Sequence, residues 1–552
     1  METKTIGKIT ATENKPTTYN TIRFWLAENE DIRIFDVVRV RHIKDSYTYA
    51  IVRDLQFITD SAGHLANYVS SDFGDVAATP VNKRLGTTIA EAEVLYNSKD
   101  IEMPVRDSAS VETADAEGVR KALGLLGFKN PIPAGYISMS YGLEVPIEVE
   151  AKYLVGPEGA HLNIAGISGL ATKTSYAMFL LNALQQRMGD KASMILLNVK
   201  GSDLLAIDEV PKNPLSEAQT AEWKRCGLEP TPFRNAKYLY PYAQKRAQAM
   251  FSNTSLANLR GDILTKQHAE NRAFNYFYDV ETMKEKMAML LADVDDPTNT
   301  LEQMYDQIRG IQASSWDAFR AEIERRTKPG QQSGNSIPPQ SWRKFRRFLQ
   351  TRTSNPLFVE RSLTNAKERR QKLVADAVRE LRPGEVLVVD IEPLPDYLQC
   401  LIVGDIISTI RNIKLGEDDQ VEPSDLGKVI VFADELNKYA PKSDTGGRSL
   451  TNVLLEVTER GRSLGVIMFG AEQFRSAVHD RILGNCSTNA YGRTSPVEMA
   501  KCPDYRYFPD SHKASITRLE QGSLLLQHAV FKTHLIKVRF PFPCYLKEDV
   551  AQ

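Results

Sequence analysis

The stretch that most constrains this chain runs from Ala160 to Leu184 and reads AHLNIAGISGLATKTSYAMFLLNAL. A strand-like apolar run (Leu162, Ile164, Ala165) enters a Gly/Ser/Thr turn from Gly166 to Thr174. Tyr176, Phe179, Leu180 and Leu184 then share one face at helical spacing. Strand, glycine loop, then Lys-Thr opening a helix is the layout of a phosphate-binding loop. Loop N–H groups and the helix N-terminus face the anion, the lysine adds charge, and the next hydroxyl holds Mg²⁺. The expected cradle is Gly166, Gly169, Ala171, Thr172, Lys173, Thr174 and Ser175, with Thr174 also a metal ligand. The spacing departs from G-x-x-x-x-G-K-[ST]. Gly166 lies seven residues before Lys173, and Thr172 stands where a glycine is expected. An ordinary strand-to-helix turn can share this composition, so the rest of the chain must decide.

A second stretch supplies matching chemistry. Lys428-Val429-Ile430-Val431-Phe432-Ala433 reads as a buried strand that releases Asp434 and Glu435 into a loop. This is the Walker B layout, in which Asp434 orients Mg²⁺ and its waters and Glu435 polarises the attacking water. The competing reading is a carboxylate pair that caps the next helix. The following strand, Gly465 to Gly470, ends at Ala471-Glu472-Gln473, placing Gln473 where it can sense a γ-phosphate. Each of these groups falls at the carboxyl end of a strand, where open α/β sheets bind ligands. Together they point to hydrolysis of ATP with Mg²⁺.

At 552 residues the chain is too long for one core. Residues 1–98 read as a small β-barrel domain, from alternating runs at Thr21–Leu26, Asp36–Arg41, Tyr49–Arg53 and Thr87–Tyr96. Residues 99–150 read as a connector, with a helix over Asp115–Leu125, an irregular PIPAG at 131–135 and a strand over Ser138–Val149. Residues 151–215 and 383–552 carry the alternating βα pattern, and 216–382 read as a charged helical insertion. Arg39 and Arg41 share a strand face, which fits a solvated face better than a nucleic-acid patch. The basic aromatic run Trp342–Phe348 fits a helix with buried rings better than a phosphate-tracking groove. Net charge is −1, so any nucleic-acid contact must come from local patches. No apolar run approaches the ~18 residues of a membrane span, and Met1–Thr18 has no apolar signal core. The five cysteines show no ligand spacing, as expected of reduced thiols in a cytoplasmic protein.

Beyond these readings, the chain resembles HerA-type ATPases of the HerA/FtsK group of P-loop motors. The resemblance rests on IGKITATE at the start, GPEGAHLNIAGISG before the lysine, VIVFADELNKYAPK, ERGRSLGVIMFGAEQ, and VRFPFPCYL near the end. It implies an α/β fold with a RecA-like P-loop ATPase domain, an N-terminal small β barrel and a helical insertion. It further implies a homo-hexameric ring with ATP between subunits and double-stranded DNA through the centre, acting as a translocase or helicase. The implied partner is an effector, either a nuclease or a sirtuin-like NADase, with antiviral defence as the setting. Arg460 and Arg462 would face the neighbouring subunit, with Arg462 the transition-state finger. Asn198 and Asp203 stand where such proteins carry an acidic residue after the second strand. The rival reading is a nucleotide-gated scaffold that assembles and activates the partner with little motor activity.

Overall fold

The computed structural model describes residues 3–70, 72–77, 85–167, 172–242, 261–291, 294, 300–330, 337–360, 370–443 and 449–547. The chain divides into two compact units. One comprises Met1–Glu150, Arg225–Gly227 and Arg493–Phe540, and the other Ala151–Lys224, Leu228–Gly492 and Pro541–Gln552.

The first unit contains a closed barrel of order β1-β2-β5-β4-β3-β6. Its strands are β1 (Thr5–Ile9), β2 (Thr21–Leu26), β3 (Val37–His42), β4 (Ser46–Thr59), β5 (Gly86–Asn97) and β6 (Ser110–Thr113). Alternation along the strands turns Ile22, Phe24, Val38, Val40, Ala50, Val52, Ala90 and Ala92 into one buried interior. Closure depends on β6, which pairs with both β1 and β3. Arg39 and Arg41 do share a face, but it is an ion-paired one. Glu112 of β6 accepts from Arg39 Nε at 2.9 Å and from Arg41 Nε at 3.1 Å.

A helix at Ala116–Leu123 follows, its N-cap Asp115 accepting from the Gly118 N–H. PIPAG, expected to be irregular, instead opens strand β7 (Pro131–Ser138), which pairs antiparallel with β8 (Glu144–Glu150). The physical reason is visible in the register. Pro131 is the first residue of the strand, and a bulge falls between Pro133 and Gly135, two places where a strand tolerates proline. The strands β18 (Ser523–His528) and β19 (Ile536–Arg539) pair antiparallel, and β19 also joins β7.

The second unit is a parallel sheet of order β13-β12-β11-β14-β10-β15-β16-β9-β17. Its strands are β9 (Leu162–Ala165), β10 (Ala192–Asn198), β11 (Ala236–Pro241), β12 (Ala273–Tyr276), β13 (Gln371–Lys372), β14 (Val386–Asp390), β15 (Lys428–Asp434), β16 (Val466–Glu472) and β17 (Thr488–Tyr491). One strand, β16, separates the glycine-loop strand β9 from the carboxylate strand β15. Every residue of β10, β14 and β16 is buried, as a sheet covered on both faces requires. The helices Thr172–Met188, Asp396–Leu415 and Ser449–Leu464 provide cover, the first so enclosed that Tyr176 to Ala183 are all under 4% exposed.

The 216–382 stretch is not wholly helical, because β11, β12 and β13 extend the sheet beyond β14. Its helices Thr300–Arg309, Trp316–Arg326 and Pro339–Arg352 bury Met304, Ile308, Phe319, Ile323, Trp342 and Phe345 in the core that also holds Ile195, Val389 and Val431. Trp342 and Phe345 point inward, while Arg346 pairs with Glu324 on the outside.

Candidate nucleotide site

Strand register brings the loop and the carboxylates together. Ala165 of β9 pairs with Glu472 of β16, and Ala471 pairs with Asp434 of β15. The loop entrance and Asp434 are therefore two strands apart, about 10 Å, which side chains can bridge. Gly470 of β16 leaves room for Leu436 beside it. A Cβ there would stand 2.5 Å from Leu436 Cδ2, in the short helix that follows Glu435.

Gly166 is anchored at the loop entrance by its N–H to Glu472 O, 3.1 Å. Its carbonyl accepts from Lys173 Nζ at 2.8 Å. Ser168 to Ala171, and with them the expected contributions of Gly169 and Ala171, lie outside the described residues. Thr172 opens the helix, and Thr172, Lys173 and Ser175 are all buried. Burial lowers the Lys173 ammonium from its ordinary value, and the Asp434, Glu472 and Glu435 charges oppose that shift. A buried cation at a helix start, facing carboxylates, is poised for an anion that brings its own negative charge.

Thr174 Oγ1 donates to Asp434 Oδ2 at 3.3 Å. The other oxygen, Asp434 Oδ1, accepts from the Glu435 N–H at 2.9 Å. Glu435 sits in left-handed backbone, φ 60° and ψ 44°, a conformation unfavourable to a residue with a Cβ. Its carboxylate is tied to Lys438 at 2.7 Å and Lys200 at 3.3 Å. Burial would raise the Glu435 acid, but the bond from Lys438 and the Lys200 charge carry it below the usual carboxylate value. One hydroxyl and one carboxylate at hydrogen-bond distance, at the start of the Thr172–Met188 helix, form a donor set that fits Mg²⁺, which keeps waters and phosphate oxygens among its ligands.

Gln473 follows β16 directly and is half-buried. Arg460 and Arg462 lie in the last turns of the Ser449–Leu464 helix, both exposed. Arg460 faces Glu456 at 3.8 Å, and neither arginine joins the contacts around Asp434 and Glu435. Asn198 is a turn-former. Its Nδ2 donates to Gly201 O at 2.8 Å and Asp390 Oδ1 at 2.9 Å, and its Oδ1 accepts from the Leu204 N–H at 3.3 Å. Asp203 belongs to that same turn through its N–H to Lys200 O.

Two further charged residues, beyond the ends of β10 and at the end of β16, belong to the site. Lys200 reaches both members of the carboxylate pair. Glu472 is fully buried, with Oε2 accepting from Asn163 Nδ2 at 2.9 Å, and Arg475 donating in turn to Asn163 Oδ1. Burial pushes the Glu472 carboxyl up to about 8, against the pull of Arg475. In the sequence, a carboxylate ending an apolar strand is a stronger electrostatic signal than the neutral Gln473 that follows it.

No protein-family model and no curated protein matches the chain. Among solved structures it is similar to VirB4 of Thermoanaerobacter pseudethanolicus, at 11% identity over 75% of this chain and 96% of that one, TM-score 0.42. It is also similar to the plasmid coupling protein TrwB in complex with ADP and Mg²⁺, at 12% identity over 70% and 88%, TM-score 0.35. A third is the genome packaging NTPase B204 from Sulfolobus turreted icosahedral virus 2 in complex with ATP-γS, at 12% identity over 30% and 71%, TM-score 0.22. All three likenesses are remote.

Proposed function

We propose that the chain is a Mg²⁺-dependent ATPase whose turnover drives DNA translocation for a partner effector. The observation that carries this reading is the meeting of Thr174 with Asp434 beside buried Lys173, across 260 residues of sequence, at the carboxyl ends of parallel strands. Lys173, Thr174 and the loop N–H groups bind and orient the polyphosphate, with Gly166, Gly169, Ala171, Thr172 and Ser175 forming the cradle. Thr174 and Asp434 would hold Mg²⁺, which when bound neutralises charge on the transferring phosphoryl group. Glu435 orients and deprotonates the attacking water once its carboxylate leaves Lys438 and Lys200. Gln473 senses the terminal phosphate from the end of β16.

The finer reading rests on the resemblance to HerA-type motors. The active form is a homo-hexamer, Arg462 of one subunit completes the next subunit's site, and double-stranded DNA is the track. The effector is a nuclease or a sirtuin-like NADase, and the setting is antiviral defence in the cytoplasm. ATP hydrolysis by Lys173→Ala and Glu435→Gln variants tests the assignment, and parental turnover in both would discard it.

One observation favours a second reading, a nucleotide-gated scaffold. Both Glu435 oxygens are held by lysines, Oε1 by Lys200 and Oε2 by Lys438, which suits a slow hydrolase that uses nucleotide to assemble. DNA-stimulated turnover favours the motor. Nucleotide-dependent assembly without DNA stimulation favours the scaffold.

A further inference from the structure

Lys200 occupies the position a metal ion would contest. Its Nζ lies 3.6 Å from Asp434 Oδ2 and 3.3 Å from Glu435 Oε1. Asp434 Oδ2 is the oxygen that also accepts from Thr174, and Asp434 Oδ1 is already engaged by the Glu435 N–H. Glu435 Oε2 is taken by Lys438. Both carboxylates thus have both oxygens engaged. The backbone on either side of Lys200 is pinned, because Asn198 holds Gly201 O, Asp390 and the Leu204 N–H. The side chain itself is 40% exposed and can swing without disturbing that turn.

We propose that Lys200 is a tethered counter-ion that keeps a divalent cation off Asp434 until nucleotide arrives, and then transfers from the carboxylates to the polyphosphate. The inference rests on the nucleotide reading above. Without nucleotide, a divalent ion must displace an ammonium held at high local concentration by its own backbone, and the displaced ammonium gains no new partner. With nucleotide present, the phosphates offer that partner, so the metal and the nucleotide bind with positive coupling. Lys200 thereby makes metal loading conditional on nucleotide, a positioning role distinct from the phosphate contacts of Lys173.

The test uses the full chain and Mn²⁺ as an electron-paramagnetic-resonance probe, titrated without nucleotide. Lys200→Ala is expected to bind Mn²⁺ on the order of tenfold more tightly than the parent, within the range of ordinary coupling. Lys200→Arg, which keeps the charge, is expected to match the parent, and adding Asp434→Asn to Lys200→Ala should abolish the gain. In calorimetry, Mg²⁺ should strengthen ADP binding to the parent more than to Lys200→Ala. An Mn²⁺ isotherm unchanged in Lys200→Ala, including no binding to either protein, overturns the proposal. A merely structural lysine would alter melting but not this isotherm. ADP affinity untouched by Lys173→Ala would sink the nucleotide reading separately, because the Mn²⁺ titration contains no nucleotide.

Discussion

The Thr174 hydroxyl meets the Asp434 carboxylate at 3.3 Å, joining the start of one helix to the end of a strand 260 residues away. Only the strand order makes this possible, because β16 spaces the two elements and β9 and β15 deliver them to the same edge. The pair is expected to act as a unit toward Mg²⁺. Thr174→Ser should keep Mg²⁺-dependent turnover, whereas Thr174→Ala should weaken apparent Mg²⁺ affinity on the order of 10- to 100-fold. Turnover measured against Mg²⁺ concentration checks this, and equal midpoints for the two variants would count against the pairing.

Glu435, the proposed base, sits on an unfavourable backbone, φ 60°. Left-handed residues other than glycine persist where surrounding structure holds them, often at functional sites. Three variants that all lack the carboxylate separate these effects. Glu435→Gly relieves the Cβ conflict, so it should be more stable than Glu435→Ala by about 1 kcal/mol in thermal unfolding. Glu435→Gln should retain ADP binding while kcat falls about 10²- to 10⁴-fold. Equal melting of the Gly and Ala variants would show that the loop relaxes freely.

Asp405 lies 1% exposed in the Asp396–Leu415 helix, held by Tyr278 OH at 2.9 Å, by Thr409 Oγ1 at 3.3 Å and by Lys286. Removing only the cation strands a buried carboxylate. Lys286→Met is therefore expected to destabilise the second unit by about 3–5 kcal/mol. Pairing it with Asp405→Asn should recover much of that loss, because the uncompensated charge is gone. Denaturant midpoints of the single and double variants decide the matter.

The α/β core was legible because its signals are local. Continuous apolar runs such as Ile430–Ala433, and the polar residues that end them, announce buried parallel strands and their exits. Asp434 and Thr174 could be paired from position alone. Lys200 stands among the polar residues that end the Ala192–Asn198 strand, but its partners Asp434 and Glu435 follow from the pairing of β10 with β15, which no local pattern carries. The short strands β11 to β13 were hidden by charged, helix-rich surroundings, and Gln371–Lys372 is too brief for any period to show. β6 was likewise missed at four residues, although Glu112 within it locks Arg39 and Arg41. Pro131 and Pro133 suggested irregular backbone because composition does not reveal where a strand starts or bulges.

The buried acid Glu472 gives the molecule a pH signature. Its carboxyl stands at about 8 in the folded chain, against an ordinary value of 4.5. Between these values the folded state holds a proton that the unfolded state has released. Stability then falls as pH rises, with slope set by that difference in bound protons. The contribution is complete below the unfolded value and lost by the folded one. His161 works in the opposite sense at lower pH. Burial lowers it to about 4 from 6.5, so the unfolded chain takes up a proton first and stability drops as pH falls through that window. Replacing Glu472 by Gln removes the titrating group while keeping an amide for Asn163 to meet. The variant is expected to melt higher than the parent at pH 8, with the gap narrowing toward pH 5 and a shallower slope between. Melting temperatures taken at half-unit steps from pH 5 to 9 would show this, and parallel curves for parent and Glu472→Gln would place the proton elsewhere.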